Sequence, residues 1–216
     1  MKSLQSIYIN KSNAILVIVD AENEFCKPGG KRYAETSALT IPPVISAIRG
    51  LMERCRNADI PVIYIQSARS LKEPEFTVFG KKPFLEAGTW AVEIVEELKP
   101  RSGDPVIPKY CHDPFHETNL EEILKELTPD PTKYYAIMTG GATEVCLYHA
   151  VLGFYIRNYW TVVPVDGTFS ISEPGKQVAL EQFSLRSYRS IFLSRTDLIE
   201  VTQDPTKIAT VPVPGK

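Results

Sequence analysis

Residues 134–150, Y-Y-A-I-M-T-G-G-A-T-E-V-C-L-Y-H-A, decide the fold. The apolar run 134–139 ends in Gly140 and Gly141 and passes into a pattern with helical period. That reads as a buried strand, a tight turn and a helix start. Glycine allows a positive φ or a close approach of backbone without a Cβ penalty. Thr143 reads as the N-cap, with Cys146 in the first turn of a helix over 144–157. A thiol there feels the positive helix end, which favours the thiolate. Taken alone, however, Cys146 reads as a small buried hydrophobe, the usual fate of a free cysteine.

The same alternation extends in both directions. Residues 14–19, A-I-L-V-I-V, form a continuous apolar run ending at Asp20, as expected of a strand covered on both faces. Residues 41–58 carry apolar side chains at helical spacing behind Pro42 and Pro43. Strands follow at 61–67, 104–107, 160–165 and 190–193, and helices at 118–127 and 173–187. Thr89 reads as the cap of a further helix, W-A-V-E-I-V-E-E-L, closed by Pro100. Pro108 belongs at the last residue of its strand or just beyond, because it cannot donate to a ladder. The segment 68–88 is long for a connection inside a compact domain and reads as a lid or mobile segment. The tail 196–216 is polar and proline-containing and reads as extended, lying across a partner subunit. Strands alternating with helices predict an α/β fold. The expected form is a three-layer α/β/α sandwich, with a doubly wound, mainly parallel six-stranded sheet of Rossmann-like type. Its ligand belongs beyond the carboxyl ends of the strands.

With 216 residues the chain suits a single domain, 1–216, with a core that needs no staple. A net charge of −2 gives no footprint for nucleic acid or a membrane surface. No apolar stretch approaches the ~20 residues of a membrane span. The first ten residues lack a signal-peptide core. Cys26, Cys55, Cys111 and Cys146 show no framework spacing, which fits reduced thiols and a cytoplasmic location.

Asp20, Lys109 and Cys146 each follow the carboxyl end of a predicted strand, so three distant segments can bring them to one rim. Separately, Asp20 reads as a loop cap and Lys109 as a surface charge. Together they make a site. The carboxylate can take the thiol proton and return it to a leaving amine. The ammonium stabilises thiolate and carboxylate alike. Backbone N–H groups of the glycine turn and of Cys146 can hold an oxyanion.

The chain also resembles the isochorismatase-like cysteine hydrolases. The resemblance is carried by residues 14–30, A-I-L-V-I-V-D-A-E-N-E-F-C-K-P-G-G, with P-V-I-Y-I-Q (61–66), G-T-W-A-V-E-I (88–94) and D-P-V-I-P-K (104–109). It continues through F-H-E-T-N-L (115–120), T-G-G-A-T-E-V-C (139–146) and V-V-P-V-D (162–166). It implies an Asp20–Lys109–Cys146 triad and a cis peptide between Gly141 and Ala142. It also implies an oxyanion hole formed by the N–H groups of Ala142 and Cys146. Gly141 departs from the family pattern, which more often has a β-branched residue there. Members with the cysteine mostly cleave small amides and ureido compounds, so the resemblance implies C–N cleavage of such a substrate through a thioester. It also suggests a homodimer or homotetramer.

In the nicotinamidases of that family a metal is held by Asp-x-His after the second strand. Here that place reads Q-S-A-R-S (66–70), so no metal and no other cofactor is expected. The run C-H-D-P-F-H (111–116) is rich in ligand types, but Pro114 keeps His112 and His116 off one helix face. His149, three residues after Cys146, is read as packing behind the site rather than as its base. Two other functions compete. The acidic run 20–24 could hold magnesium for a haloacid-dehalogenase-like phosphohydrolase, although it lacks a second aspartate at the expected place. Alternatively, the same fold could serve as a non-catalytic small-molecule binding protein. For the pocket we expect Phe25, Gln66, Arg69, Trp90, His112 and Phe115, with Arg69 pairing a substrate carboxylate. The aromatic residues among them can equally be core.

Overall fold

The computed structural model describes residues 4, 6–33 and 40–203. In chain order it runs β1 (Ile7–Asn10), β2 (Ala14–Val19), α1 (Asn23–Cys26), α2 (Ile41–Asn57), β3 (Val62–Ser67), α3 (Pro74–Thr77) and β4 (Val106–Lys109). It continues α4 (Leu120–Leu127), β5 (Tyr135–Gly140), α5 (Cys146–Ile156), β6 (Trp160–Pro164), α6 (Glu173–Phe183), β7 (Ile191–Ser194) and β8 (Ile199–Thr202). Six strands form one parallel sheet in the order β4-β3-β2-β5-β6-β7. The chain winds outward from β2 to β4, returns to lay β5 beside β2, and winds outward again. The switch point, where such sheets bind ligands, therefore lies between β2 and β5.

Alternation along β2 divides the core. Leu16 and Ile18 pack with the buried face of α2, namely Val44, Ile45, Ile48, Leu51, Met52 and Cys55. Ile15, Val17 and Val19 pack on the other side with Leu124 of α4, Leu147 and Val151 of α5, and Phe183 of α6. The three expected layers are thus present. Pro108 lies within β4 and is accommodated because β4 is an edge strand.

Three expectations are corrected. Residues 90–98 do not form one helix but two 3-10 turns, Trp90–Val92 and Glu96–Leu98. Their backbone is taken by other partners: Asn23 N–H donates to Glu93 O at 2.9 Å, and Val95 N–H to Ala21 O at 3.0 Å. The Asn23 and Gln66 side-chain amides hold Trp90 O and Val92 O. Secondly, Thr143 does not cap α5. Its N–H and hydroxyl both reach Phe169 O at 2.8 Å, and the helix begins only at Cys146.

Thirdly, the first part of the tail, expected across a partner subunit, folds back on its own chain. A 3-10 turn, Thr196–Leu198, leads into β8, which pairs in parallel with β1, Ile7 opposite Ile199. Ile7, Ile9 and Ile199 join the core on the α2 side. Residues 204–216 lie outside the described residues. The segment 68–88 is tied at its neck and lines the site's cavity with Arg69, Glu75 and Phe84. Arg69 N–H donates to Leu85 O at 2.8 Å, and Ala87 N–H to Arg69 O at 3.0 Å, with α3 inside the loop.

Candidate active site

Four side chains meet at the switch point. Asp20 follows β2 with φ at 50° and is fully buried. Ser67 closes β3, Lys109 closes β4, and Cys146 opens α5. The Lys109 ammonium lies 2.9 Å from Asp20 Oδ2 and 3.4 Å from Cys146 Sγ, so the expected trio is brought together. Its third proton goes to Ser67 Oγ at 2.7 Å, and that hydroxyl donates to Asp20 Oδ1 at 3.1 Å.

The electrostatics differ from expectation in one respect. Burial and the Asp20 carboxylate push the Cys146 thiol well up, against the pull of Lys109. The resting sulfur therefore keeps its proton, and a base beside it is needed for attack. Lys109 is held above its usual range: burial opposes its charge, but Asp20 and Cys146 outweigh that. His112 places Nδ1 3.3 Å from Cys146 Sγ at the open side of the site. Burial, Lys109 and His149 all lower its pKa, so its ring is neutral near pH 7. His149 lies beside it on the exposed face of α5, ring centroids 5.8 Å apart, with Nδ1 2.7 Å from Val145 O.

The turn before the nucleophile follows from its glycines. Gly140 has φ at +97°, and a Cβ there would stand 1.9 Å from Val19 O. The Gly141–Ala142 peptide is cis. A Cβ on Gly141 would meet the Phe169 ring at 2.4 Å, so the phenyl occupies the room a branched side chain would use. Ala142 O accepts from Val145 and Leu147. The opening N–H groups of a helix have no intrahelical acceptor, which leaves Cys146 N–H open to a ligand.

Cys146 lines a cavity of about 430 Å³ together with Phe25, Ser67, Arg69, Tyr110, His112 and Ala142. Of the six expected pocket residues, Phe25, Arg69 and His112 are therefore here. Arg69 does not present a free cation. Its Nε donates to Glu73 at 2.8 Å, a terminal nitrogen donates to Glu75, and the guanidinium sits 4.6 Å from the Phe76 ring centroid and 5.2 Å from that of Phe84. Three expectations are corrected. Gln66 is spent on Val92 O at 2.7 Å. Trp90 packs over Gly29 and lines a separate cleft of about 340 Å³. Phe115 stacks edge-on against Phe154 and seats on Gly153 under Arg157.

Ser67 and Glu22 were not singled out from sequence. A serine ending a strand is common, and the acid two residues after Asp20 read only as part of an acidic run. Among the described residues no three His, Cys, Asp or Glu side chains are grouped to hold a metal ion. The magnesium-dependent alternative is disfavoured for another reason, since the Lys109 ammonium already occupies the Asp20 carboxylate.

The isochorismatase-domain family model matches residues 14–192. Among curated proteins, the chain is 26% identical over 210 residues to the ureidoacrylate amidohydrolase RutB of Serratia proteamaculans, covering 87% of this chain and 81% of that one. Among solved structures, it is similar to a cysteine hydrolase from Pseudomonas syringae pv. phaseolicola, with TM-score 0.74, 22% identity, and coverage of 91% and 94% of the two chains. The N-carbamoylsarcosine amidase of Thermoplasma acidophilum superposes with TM-score 0.68 at 24% identity, covering 86% of this chain and 97% of that one.

Proposed function

Because this chain belongs to the isochorismatase family, we propose that it is a cysteine-dependent hydrolase cleaving a C–N bond, other than a peptide bond, in a small amide, carbamoyl or ureido compound. One observation carries the reading: the Cys146 sulfur faces a cavity while sharing one ammonium with a buried carboxylate. The similarity to an amidohydrolase of ureidoacrylate supports the substrate class.

In this reading Cys146 Sγ attacks the carbonyl carbon as Asp20 takes the thiol proton. Ala142 and Cys146 N–H groups receive the oxyanion, where fixed donors in a water-poor site act strongly. The carbon–nitrogen bond breaks as Asp20 returns the proton to the departing nitrogen, which leaves as ammonia or an amine. The resulting thioester is attacked by water. Asp20 accepts a proton from that water, and the acid and free thiol are released. Lys109 keeps its charge throughout and balances the carboxylate while Asp20 is unprotonated and the sulfur when it is not. His112, neutral and against the sulfur, contacts the acyl group.

An ammonia-release screen over small amides and ureas tests the proposal, run with and without chelator. Turnover should be insensitive to chelator and fall at least about a thousandfold in Cys146→Ser, Asp20→Asn and Lys109→Ala, each still folded. Release of phosphate from phosphate esters only with magnesium, unchanged in Cys146→Ser, would overturn it.

A further inference from the structure

Ser67 has no step in this scheme, yet it touches two of the three proposed catalytic residues. An ammonium has three protons to place. Those of Lys109 are matched one to each of Asp20 Oδ2, Ser67 Oγ and Cys146 Sγ. With Lys109 only 2% exposed, water cannot replace a missing acceptor. Ser67 Oγ in turn spends its proton on Asp20 Oδ1, so both carboxylate oxygens are held from one side.

The serine is itself anchored. Its N–H donates to Glu22 Oε1 at 2.7 Å, and the next N–H, of Ala68, donates to Lys109 O at 2.9 Å. Glu22 is fully buried, and its Oε2 has no partner among the described residues. Burial and Asp20 push its carboxyl well up, with Lys109 opposing.

We propose that Ser67 is a positioning residue whose hydroxyl fixes the Lys109 ammonium at the corner between Asp20 and Cys146, with Glu22 holding the serine backbone in place. One cation can then serve base and nucleophile together. Without the hydroxyl, the ammonium collapses onto the nearer carboxylate and leaves the sulfur.

The effect on turnover rests on the hydrolase reading, so the first readout does not use turnover. The rate of Cys146 alkylation by iodoacetamide is followed against pH by peptide mass spectrometry in the wild type, Ser67→Ala and Ser67→Thr. In Ser67→Ala the rate near neutral pH should fall about tenfold, equivalent to an upward shift of its midpoint by about one pH unit. On an amide found in the ammonia screen, kcat should fall at least about tenfold with KM within about twofold, the mark of a lost transition-state interaction. Ser67→Thr, which keeps the hydroxyl, should restore both. A folded Ser67→Ala protein that alkylates as the wild type does would overturn the inference and leave the hydrolase reading intact. Should Ser67→Ala not fold, Ser67→Thr decides: a tenfold slower Cys146 at wild-type thermal stability would also overturn it. A wild type that cleaves no amide would count against the hydrolase reading alone.

Discussion

At Cys146 two neighbours pull in opposite directions. The Asp20 carboxylate and burial keep the proton on sulfur, while Lys109 favours its loss. Asp20→Asn should therefore separate two properties that usually fall together. Turnover should be lost for want of a base, yet iodoacetamide should label Cys146 faster near neutral pH, because the opposing negative charge is gone and Lys109 remains. Slower labelling in that variant would mean that Asp20 acts on the thiol chiefly as a base even towards a small alkylating agent. The trio itself was legible in the sequence, since each member lies at or just beyond the carboxyl end of a segment that reads as a strand. Other partnerships were not. Ser67, Glu22 and the contact of His112 with sulfur depend on which side chains fold over the rim, and no spacing encodes that. Gln66, Trp90 and Phe115 have the right chemistry for a pocket and are nonetheless claimed by backbone carbonyls or packing.

The connections between strands separate into those that shape the site and those that only support it. Gly140 belongs to the first kind. A methyl group at that position meets the Val19 carbonyl at 1.9 Å, and φ is +97°. Gly140→Ala should cost roughly 3 kcal/mol or more and should also remove activity, because the turn carries Ala142 and Cys146. Gly153 belongs to the second. Its added Cβ would stand 2.6 Å from the Phe115 ring, which lies outside the cavity. Gly153→Ala should lower stability by roughly 1–3 kcal/mol with KM unchanged. Urea unfolding and steady-state kinetics on both variants distinguish the two cases. Helices α2, α4, α5 and α6 could be read from their period to within a few residues. The stretch 90–98 had the same period and failed, because Asn23, Ala21 and Gln66 compete for its backbone groups and win.

Across the whole molecule the doubly wound, six-stranded parallel sheet was visible in the alternation of strands and helices, whereas the order of its strands was not. The β1–β8 pair was not, since two four-residue strands separated by nearly the whole chain carry little signal of their own. Its contribution is large for its size, because Ile7, Ile9 and Ile199 are buried against the α2 side of the core. A chain ending at residue 198 should lose about 3 kcal/mol or more, seen as a lower urea midpoint, while Cys146 remains open to alkylation in whatever fraction is folded. An unchanged midpoint would mean that the ladder adds nothing to the core beneath it.

That ladder also sets how the molecule answers to force. β1 and β8 run parallel, one near each end of the chain, Ile7 opposite Ile199 and Asn10 opposite Thr202. Tension drawing the two ends apart pulls one strand backward and the other forward along their common axis. The cross-strand bonds are then loaded together in shear instead of being unzipped in turn. A single-molecule stretching trace should show one abrupt rupture there before the main sheet yields, so the seam acts as a mechanical clasp around the rest of the protein.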